Sequence, residues 1–187
     1  MLGKIPMKHY LDFGAHFGEG YERIKEMVGI DDTWNVCLFE PNPLCYGELV
    51  TKHKNAKLFT LAVADQAKIT AFDLQLCNQD DVFALDGFGS ALSTIGSTEK
   101  GLGGSRVNVM CLPMSSAIDM CCQDISELHI KIDIEGAEYS LDYENLPKHC
   151  LVYLYIEWHG WGCDNPKEKK AEILANLPLN VVVTDWD

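Results

Sequence analysis

Short apolar runs alternate with stretches of helical spacing along the chain. The apolar runs predict strands at residues 8–13, 35–40, 57–64, 69–76, 106–112, 128–134, 151–158 and 179–184. Polar and apolar residues at helical spacing, bounded by capping or stop residues, predict helices at residues 19–28, 44–54, 115–122, 137–144 and 167–177. Strands that alternate with helices in this way are typical of an α/β fold with a mostly parallel central sheet.

The segment between the first strand and the first helix is rich in glycine. Residues 11–20 read Leu-Asp-Phe-Gly-Ala-His-Phe-Gly-Glu-Gly. Gly14, Gly18 and Gly20 allow a tight turn and leave room for a ligand against the main chain, and the following helix offers unpaired N–H groups. The carboxylate of Asp12 disfavours a phosphate but suits a ligand with hydroxyls and an ammonium group. The Gly-x-x-x-Gly-x-Gly spacing matches neither a dinucleotide fingerprint nor a P-loop.

A second signal follows at the end of the second predicted strand. Residues 35–40 read Asn-Val-Cys-Leu-Phe-Glu, and Glu40 lies about twenty residues beyond the glycine turn. In nucleoside-binding α/β folds an acid at this place accepts hydrogen bonds from the ribose hydroxyls. Pro41, Asn42 and Pro43 then end the strand and open a helix. The two signals together favour an adenosine-type ligand over an ordinary strand-to-helix turn.

Three motifs resemble those of the FkbM-type family of S-adenosylmethionine-dependent methyltransferases. They are Asp12-Phe-Gly-Ala-His-Phe-Gly-Glu-Gly20, Phe39-Glu-Pro-Asn-Pro43 and Lys131-Ile-Asp-Ile-Glu-Gly-Ala-Glu138, in the family's order. The resemblance implies a class I, Rossmann-like three-layer sandwich. It also implies methyl transfer to a hydroxyl of a small metabolite or saccharide.

The same resemblance implies where the cofactor binds. Asp12, Gly14 and Gly18 would border its methionine part, Glu40 would hold its ribose, and the loop after the third strand would lie beside its adenine. The residues expected to contact S-adenosylmethionine are Asp12, Gly14, Ala15, His16, Gly18, Glu40, Pro41, Asn42, Ala64, Asp65 and Asp133.

Length and charge restrict the partners. A chain of 187 residues with 47% hydrophobic content predicts one domain with a full core. The formal net charge of -13 disfavours nucleic acid, because phosphate backbones are bound by basic surfaces. No apolar run is long enough to span a bilayer, so we expect no membrane partner. The composition thus weighs only against polyanions, and a small-molecule or saccharide acceptor is what the family resemblance implies.

Eight cysteines would suggest disulfides in a small secreted protein. The sequence has no charged-then-apolar leader, and no pair has Cys-x-x-Cys spacing. We therefore expect a reduced, cytoplasmic setting and buried thiols rather than a zinc site.

Two regions depart from a regular pattern. Residues 77–105 are rich in Gly and Ser and predict a flexible loop, either a lid over the cofactor or a surface loop. By resemblance, Ser90 or Ser93 matches a serine-bearing segment of the family. Class I methyltransferases usually close with a seventh strand, and no sequence follows here to supply it. Either the sheet is shortened, or the 69–76 or 106–112 strand fills an edge, or a partner does, which makes a homodimer an expectation.

The candidate chemistry lies after the fourth and fifth core strands. Asp133 and Glu135 follow one strand, Glu157 and His159 follow the other, and parallel strands end at one crevice. An oxygen nucleophile must lose its proton as it attacks the methyl group, so a base is useful. We expect Asp133, His159 and Glu135 to be catalytic, since an unperturbed histidine titrates near neutral pH. As structural alternatives, Glu135 or Glu138 caps the next helix and His159 bonds only the backbone.

Three other interpretations of these residues stay open. The carboxylates and His159 offer ligands for a divalent metal, although the family resemblance requires none and we favour a site without one. A metal-dependent hydrolase using Asp133, Glu135, Glu157 and His159 is the alternative enzyme. A non-catalytic module that binds the cofactor or a partner is the third.

Overall fold

The computed structural model describes residues 7–74 and 105–186. The strands in these ranges are β1 Met7–Phe13, β2 Asn35–Phe39, β3 Lys57–Phe59, β4 Ala62–Ala64, β5 Lys68–Leu74, β6 Ser105–Pro113, β7 Ile125–Ile132, β8 Leu151–Ile156 and β9 Val181–Asp185. The α-helices are α1 Glu19–Val28, α2 Pro43–Lys52, α3 Met114–Cys121 and α4 Pro166–Asn176. Two 3-10 helices span Ala137–Ser140 and Tyr143–Asn145. None of the helices in the described ranges has the length and apolarity needed to cross a membrane.

The central sheet has six strands in the order β3-β2-β1-β7-β8-β9. Every pairing between neighbours in this sheet is parallel. The strand order reverses between β1 and β7, which is where α/β sheets bind ligands beyond the carboxyl ends of their strands. The predicted Rossmann-like α/β class with a mostly parallel sheet is therefore confirmed.

The sheet is buried on both faces, with different chemistry on each. One face is almost wholly apolar: Leu11, Phe39 and Ile130 pack there with residues of α3. The other face is richer in aromatic and polar groups, and Tyr10 and Tyr155 pack there with α1. Side chains alternate between the two faces along each strand, so both faces bury residues against helices. The sheet is therefore the middle of three layers.

Local signals set the bounds of the first two helices. Helix α1 has its predicted bounds, and Gly29 ends it with φ 77° while its N–H donates to the carbonyl of Lys25. Helix α2 begins where the Asn42 side chain accepts from the N–H of Leu44 and Pro43 fills the first turn.

The predicted strand at residues 57–64 is wrong as a single element. It divides into β3, which joins the central sheet, and β4, which pairs with β6 in a second sheet of order β4-β6-β5. The strands predicted at 69–76 and 106–112 thus pair antiparallel with each other and do not fill an edge of the central sheet. Apolar periodicity could not separate β3 from β4, since both are short and lie two residues apart.

Three further expectations concern a helix, one edge of the central sheet and a loop. The helix predicted at 137–144 is instead the two 3-10 helices, which are joined at Leu141 and Asp142. Among the described residues, strand β9 is the edge strand of the central sheet next to β8. The predicted loop, with Ser90 and Ser93, lies outside the described residues except for Ser105, which begins β6.

Candidate functional site

Backbone hydrogen bonds extend the central sheet past its strand ends and bring the predicted segments together. The N–H groups of Gly14 and Ala15 both donate to the carbonyl of Phe39 at 3.0 Å. On the other side of β1, the Asp133 N–H donates to the Phe13 carbonyl at 3.0 Å. The glycine turn, Glu40 and Asp133 therefore lie side by side at the carboxyl edge.

The first turn requires glycine at Gly14. Its φ is 82°, and a Cβ built there would lie 1.8 Å from the carbonyl oxygen of Asp133. Gly18 has φ 93°, and a Cβ there would lie 2.1 Å from Nε2 of the buried His53. Both positions combine a left-handed backbone with a close approach, so any side chain is excluded. The glycines thus let the turn lie directly against β7 and α2.

Glu40 is fixed by the main chain of the two neighbouring turns. One carboxylate oxygen accepts from the N–H of His16 and the other from the N–H of Asn42, each at 2.7 Å. Burial raises the pKa of Glu40, and these two donors oppose the increase. Each oxygen has a second lone pair, so the carboxylate is still able to accept hydrogen bonds from a ligand.

Lys131 connects the predicted cofactor residues and was not predicted as part of the site. Its ammonium donates to Asp12 at 3.2 Å, to the Gly14 carbonyl at 3.1 Å and to Asp133 at 3.2 Å. Asp12 is fully buried and also accepts from the hydroxyl of Tyr10 at 2.9 Å. The carboxylate of Asp12 therefore belongs to a closed polar network beneath the turn.

Burial raises the pKa of Asp12, and Lys131 opposes that increase. Burial alone would lower the pKa of Lys131, but Asp12 and Asp133 outweigh it and raise the pKa. The sequence did indicate that Lys131 is paired with an acid, because Lys131 lies between Ile130 and Ile132 in a strand that was predicted to be part of the core. A lysine in such a place needs a carboxylate partner.

His159 is surrounded by four carboxylates, which we call the acidic cluster: Asp133, Glu135, Glu138 and Glu157. Nε2 of His159 lies 3.5 Å from Glu135, 3.6 Å from Glu157 and 3.9 Å from Asp133. On the opposite side of the ring, Nδ1 donates to Oε1 of the fully buried Glu138. The structure thus brings together the acids and the histidine that were expected to share one crevice.

Glu135 reaches the cluster through a turn in the backbone, whereas the prediction placed it by the alternation of side chains along a strand. Strand β7 ends at Ile132 rather than at the predicted residue 134. Glu135 then has φ 53° and Gly136 has φ 97°, so the chain turns sharply after Ile134. Gly136 lies against Trp161 and Gly162, where a Cβ would be within 3 Å of both.

The cluster shifts the pKa values of its members. Burial lowers the pKa of His159, but the hydrogen bond that His159 donates to Glu138 and the nearby carboxylates outweigh burial and raise the pKa to about 9. Burial raises the pKa of Glu135 to about 7, with His159 opposing and the other acids adding to the increase. In the unliganded cluster the raised pKa favours the protonated form of His159 at neutral pH, unlike the unperturbed histidine on which its expected role as a base depended.

The remaining predicted residues have other surroundings. Ala64 is buried in the second sheet, and Asp65 is exposed and pairs with Lys68 at 2.7 Å. Pro41 is half-buried in the turn between β2 and α2. His16 is half-buried with φ 50°, beside Glu40. Among the aromatic residues near the cluster, Trp161 is 55% exposed and its ring lies 5.4 Å from that of His159.

A parallel sheet with a glycine turn after β1 and an acid after β2 is typical of nucleoside-binding α/β proteins. The family model described as the Methyltransferase FkbM domain matches residues 12–180. The chain belongs to the FkbM methyltransferase family, which confirms the resemblance read from its motifs. The family favours methyl transfer over the metal-dependent hydrolase alternative.

A solved structure also resembles the chain. The FkbM methyltransferase from Methylobacillus flagellatus KT superposes with a TM-score of 0.50 at 16% identity. The match covers 95% of this chain but 40% of that protein, so the chain spans less than half of its length. At this identity the likeness shows the fold alone. A search of curated proteins found no match.

Proposed function

We propose that the protein is an S-adenosylmethionine-dependent O-methyltransferase that acts on a hydroxyl of a small metabolite or saccharide. The observation that carries the cofactor assignment is Glu40. It is a buried carboxylate at the end of β2, fixed by the N–H groups of His16 and Asn42 beside the glycine turn. Free lone pairs on both oxygens suit two adjacent hydroxyls, such as those of a ribose.

The donor set at the crevice fits this cofactor. Glu40 would hold the ribose, and the turn from Gly14 to Gly18 would lie along the methionine part. A sulfonium and an ammonium group are both cationic, and the half-buried carboxylate of Asp133 and the rest of the acidic cluster lie on that side. The charge of the site therefore suits the ligand that the family implies.

When bound, the cofactor would supply an electrophilic methyl group. The acceptor oxygen would gain the methyl, the sulfur would keep the bonding electron pair, and the hydroxyl proton would pass to a base. The acidic cluster offers several carboxylates for that proton. The exposed ring of Trp161 beside His159 offers a surface on which a sugar or flat ring could stack. Holding the acceptor in line would supply much of the remaining rate increase.

Two further parts of the proposal concern the setting. The net charge of -13 supports a small acceptor rather than a nucleic acid. The cysteines among the described residues are free thiols, which supports a reducing, cytoplasmic compartment.

Calorimetric titration with S-adenosylmethionine, its demethylated product and NAD tests the cofactor assignment. We expect the first two to bind and NAD not to bind. Glu40→Gln should weaken both affinities about 10- to 100-fold, because hydrogen bonds to a charged group contribute about 1.5–3 kcal/mol. The control is Glu48→Gln, which removes a carboxylate paired with Lys52 on α2 and should leave binding unchanged.

A circular-dichroism melt of each variant separates lost binding from lost folding. Failure of the folded wild-type chain to bind S-adenosylmethionine would overturn the cofactor assignment. Binding that survives Glu40→Gln at full strength would overturn the role of Glu40.

A further inference from the structure

We propose that Asp133, Glu135 and His159 form a binding site for a divalent transition-metal ion. The binding of the ion depends on the geometry and charge of the acidic cluster and not on the proposed function. Its role in catalysis, described below, rests on the proposed methyltransferase function.

The spacing of the side chains is the first observation. One oxygen from Asp133, one from Glu135 and Nε2 of His159 all lie within 4.8 Å of one another. Nε2 is 3.5 Å from Glu135 and 3.9 Å from Asp133, longer than ordinary hydrogen bonds of about 2.7–3.2 Å. Ligands that each lie about 2.0–2.2 Å from one metal are roughly 3.0–3.6 Å apart. A small contraction of the site would therefore bring the three atoms to ligand distances.

The orientation of His159 is the second observation. Glu138 has no exposed surface, and its Oε1 accepts from Nδ1 of His159, which directs Nε2 toward Asp133 and Glu135. The other oxygen of Glu138 is buried and has no hydrogen-bond partner among the described residues. A histidine that binds a metal typically donates its second N–H to a carboxylate in this way, which fixes the tautomer and the ring.

Charge balance is the third observation. The acidic cluster holds four carboxylates around one imidazole. Lys131 donates to Oδ2 of Asp133 and has its other two hydrogen bonds to Asp12 and Gly14. Oδ1 of Asp133 is left facing His159 at 3.9 Å. The cluster thus has an excess of negative charge on the side where the ion would bind.

The ligand types favour particular ions. Two carboxylates and an imidazole suit Mn²⁺ or Zn²⁺, whereas Mg²⁺ and Ca²⁺ prefer all-oxygen sites. Three protein ligands leave coordination positions open, as in catalytic metal sites. An acceptor hydroxyl bound there would have a lower pKa. Glu157 is not among the three ligands, and its 40% exposed side chain is left to take the proton.

The test is titration of the chelator-treated full chain with Mn²⁺ alone, with free Mn²⁺ followed by its EPR signal. We expect one ion to bind per chain, and a competing excess of Mg²⁺ to displace it poorly. His159→Gln should weaken binding at least 10-fold. Glu138→Gln keeps an acceptor for Nδ1 but removes the charge, and should weaken binding about 10- to 100-fold. The control is Glu172→Gln, a surface residue paired with Lys169 on α4, which should leave binding unchanged.

The outcomes separate this proposal from the proposed function. If folded wild-type chain binds no Mn²⁺ at millimolar concentration, or if His159→Gln and Glu138→Gln bind as tightly as wild type, the metal site is wrong. Calorimetry with S-adenosylmethionine on the chelator-treated protein tests cofactor binding separately from metal binding. Cofactor binding without Mn²⁺ binding overturns only the metal site. A third result is that wild type binds Mn²⁺, the variants do not, and wild type does not bind S-adenosylmethionine. That result supports the metal site and overturns the proposed function.

Discussion

Single residues with a left-handed backbone shape the site. Gly14 lets β1 turn against the carbonyl of Asp133, and Glu135 turns the chain after β7 so that its carboxylate faces His159. Positive φ is strained for a residue with a side chain, and such strain is typical of functional sites. The placement of the glycine turn and the acidic cluster thus depends on backbone geometry at two positions.

Gly14→Ala should destabilise the protein by about 2–5 kcal/mol. Roughly 1–2 kcal/mol would come from the left-handed backbone and about 1–3 kcal/mol from overlap with the Asp133 carbonyl. Urea unfolding of the variant and wild type measures the difference. The control is Gly47→Ala in the middle of α2, where a Cβ would meet nothing within 4 Å. We expect the control to gain about 0.5–1 kcal/mol from helix propensity, and an equally stable Gly14→Ala would contradict the required turn.

Among the elements, β7 and the residue that follows it place titratable side chains on the polar face of the sheet. His129, Lys131 and Asp133 alternate with Ile130 and Ile132, which lie in the apolar core on the other face. Each polar group on this side has a partner: His129 contacts Glu127 at 2.8 Å and the Tyr155 hydroxyl at 2.9 Å. Strand alternation therefore separates a hydrophobic core from a row of titratable groups that leads to the site.

His129 should make stability depend on pH. Burial lowers the pKa of His129 below its usual 6.5, although Glu127 opposes the decrease. The unfolded chain therefore binds the proton more readily, and the favourable contribution present above pH 6.5 is lost as pH falls through the folded pKa. Urea unfolding from pH 5 to 7.5 should show His129→Gln becoming more stable relative to wild type as pH falls.

The exposed His149→Gln is the matched control for replacing a histidine. A difference between His129→Gln and wild type that stayed constant over this pH range would mean that His129 titrates alike in the folded and unfolded chain.

At the scale of the molecule, excess negative charge is the dominant feature. The formal net charge is -13, and Lys131 at the carboxyl edge is buried and bonded to the carboxylates of Asp12 and Asp133. Self-repulsion of this kind destabilises a compact state and is reduced by salt. The charge also concentrates cations, which agrees with the proposed binding of a sulfonium, an ammonium or a metal ion.

Raising NaCl from about 0.01 M to 0.15 M should raise the melting temperature by about 2–4 °C. The electrostatic screening length falls from about 30 Å to 8 Å over this range, which weakens repulsion between the carboxylates. A gain of about 1 kcal/mol in the free energy of unfolding raises the melting temperature of a chain of this size by about 2–4 °C. Differential scanning calorimetry measures the shift. Tetramethylammonium chloride at equal ionic strength should act similarly if screening is the cause. A melting temperature that responds only to NaCl would indicate specific ion binding instead.

The sequence by itself determined the α/β class, the bounds of α1 and the three motifs that place the chain in its family. These features depend on local information: apolar periodicity, a glycine after the last turn of a helix, and glycines and acids at strand ends. It also placed Glu40, Asp133 and His159 at one crevice, because parallel strands end at the same edge.

The tertiary structure decided what depends on contacts between distant residues. Lys131 meets Asp12 across 119 positions of sequence, and His159 meets Glu138 across 21. The division of residues 57–64 between two sheets depends on pairing of β3 with β2 and of β4 with β6. The apolar periodicity of residues 57–64 is the same whether they form one strand or two strands in different sheets. Which residues are buried together, and therefore how their charges and pKa values shift, is set only when the strands come into register.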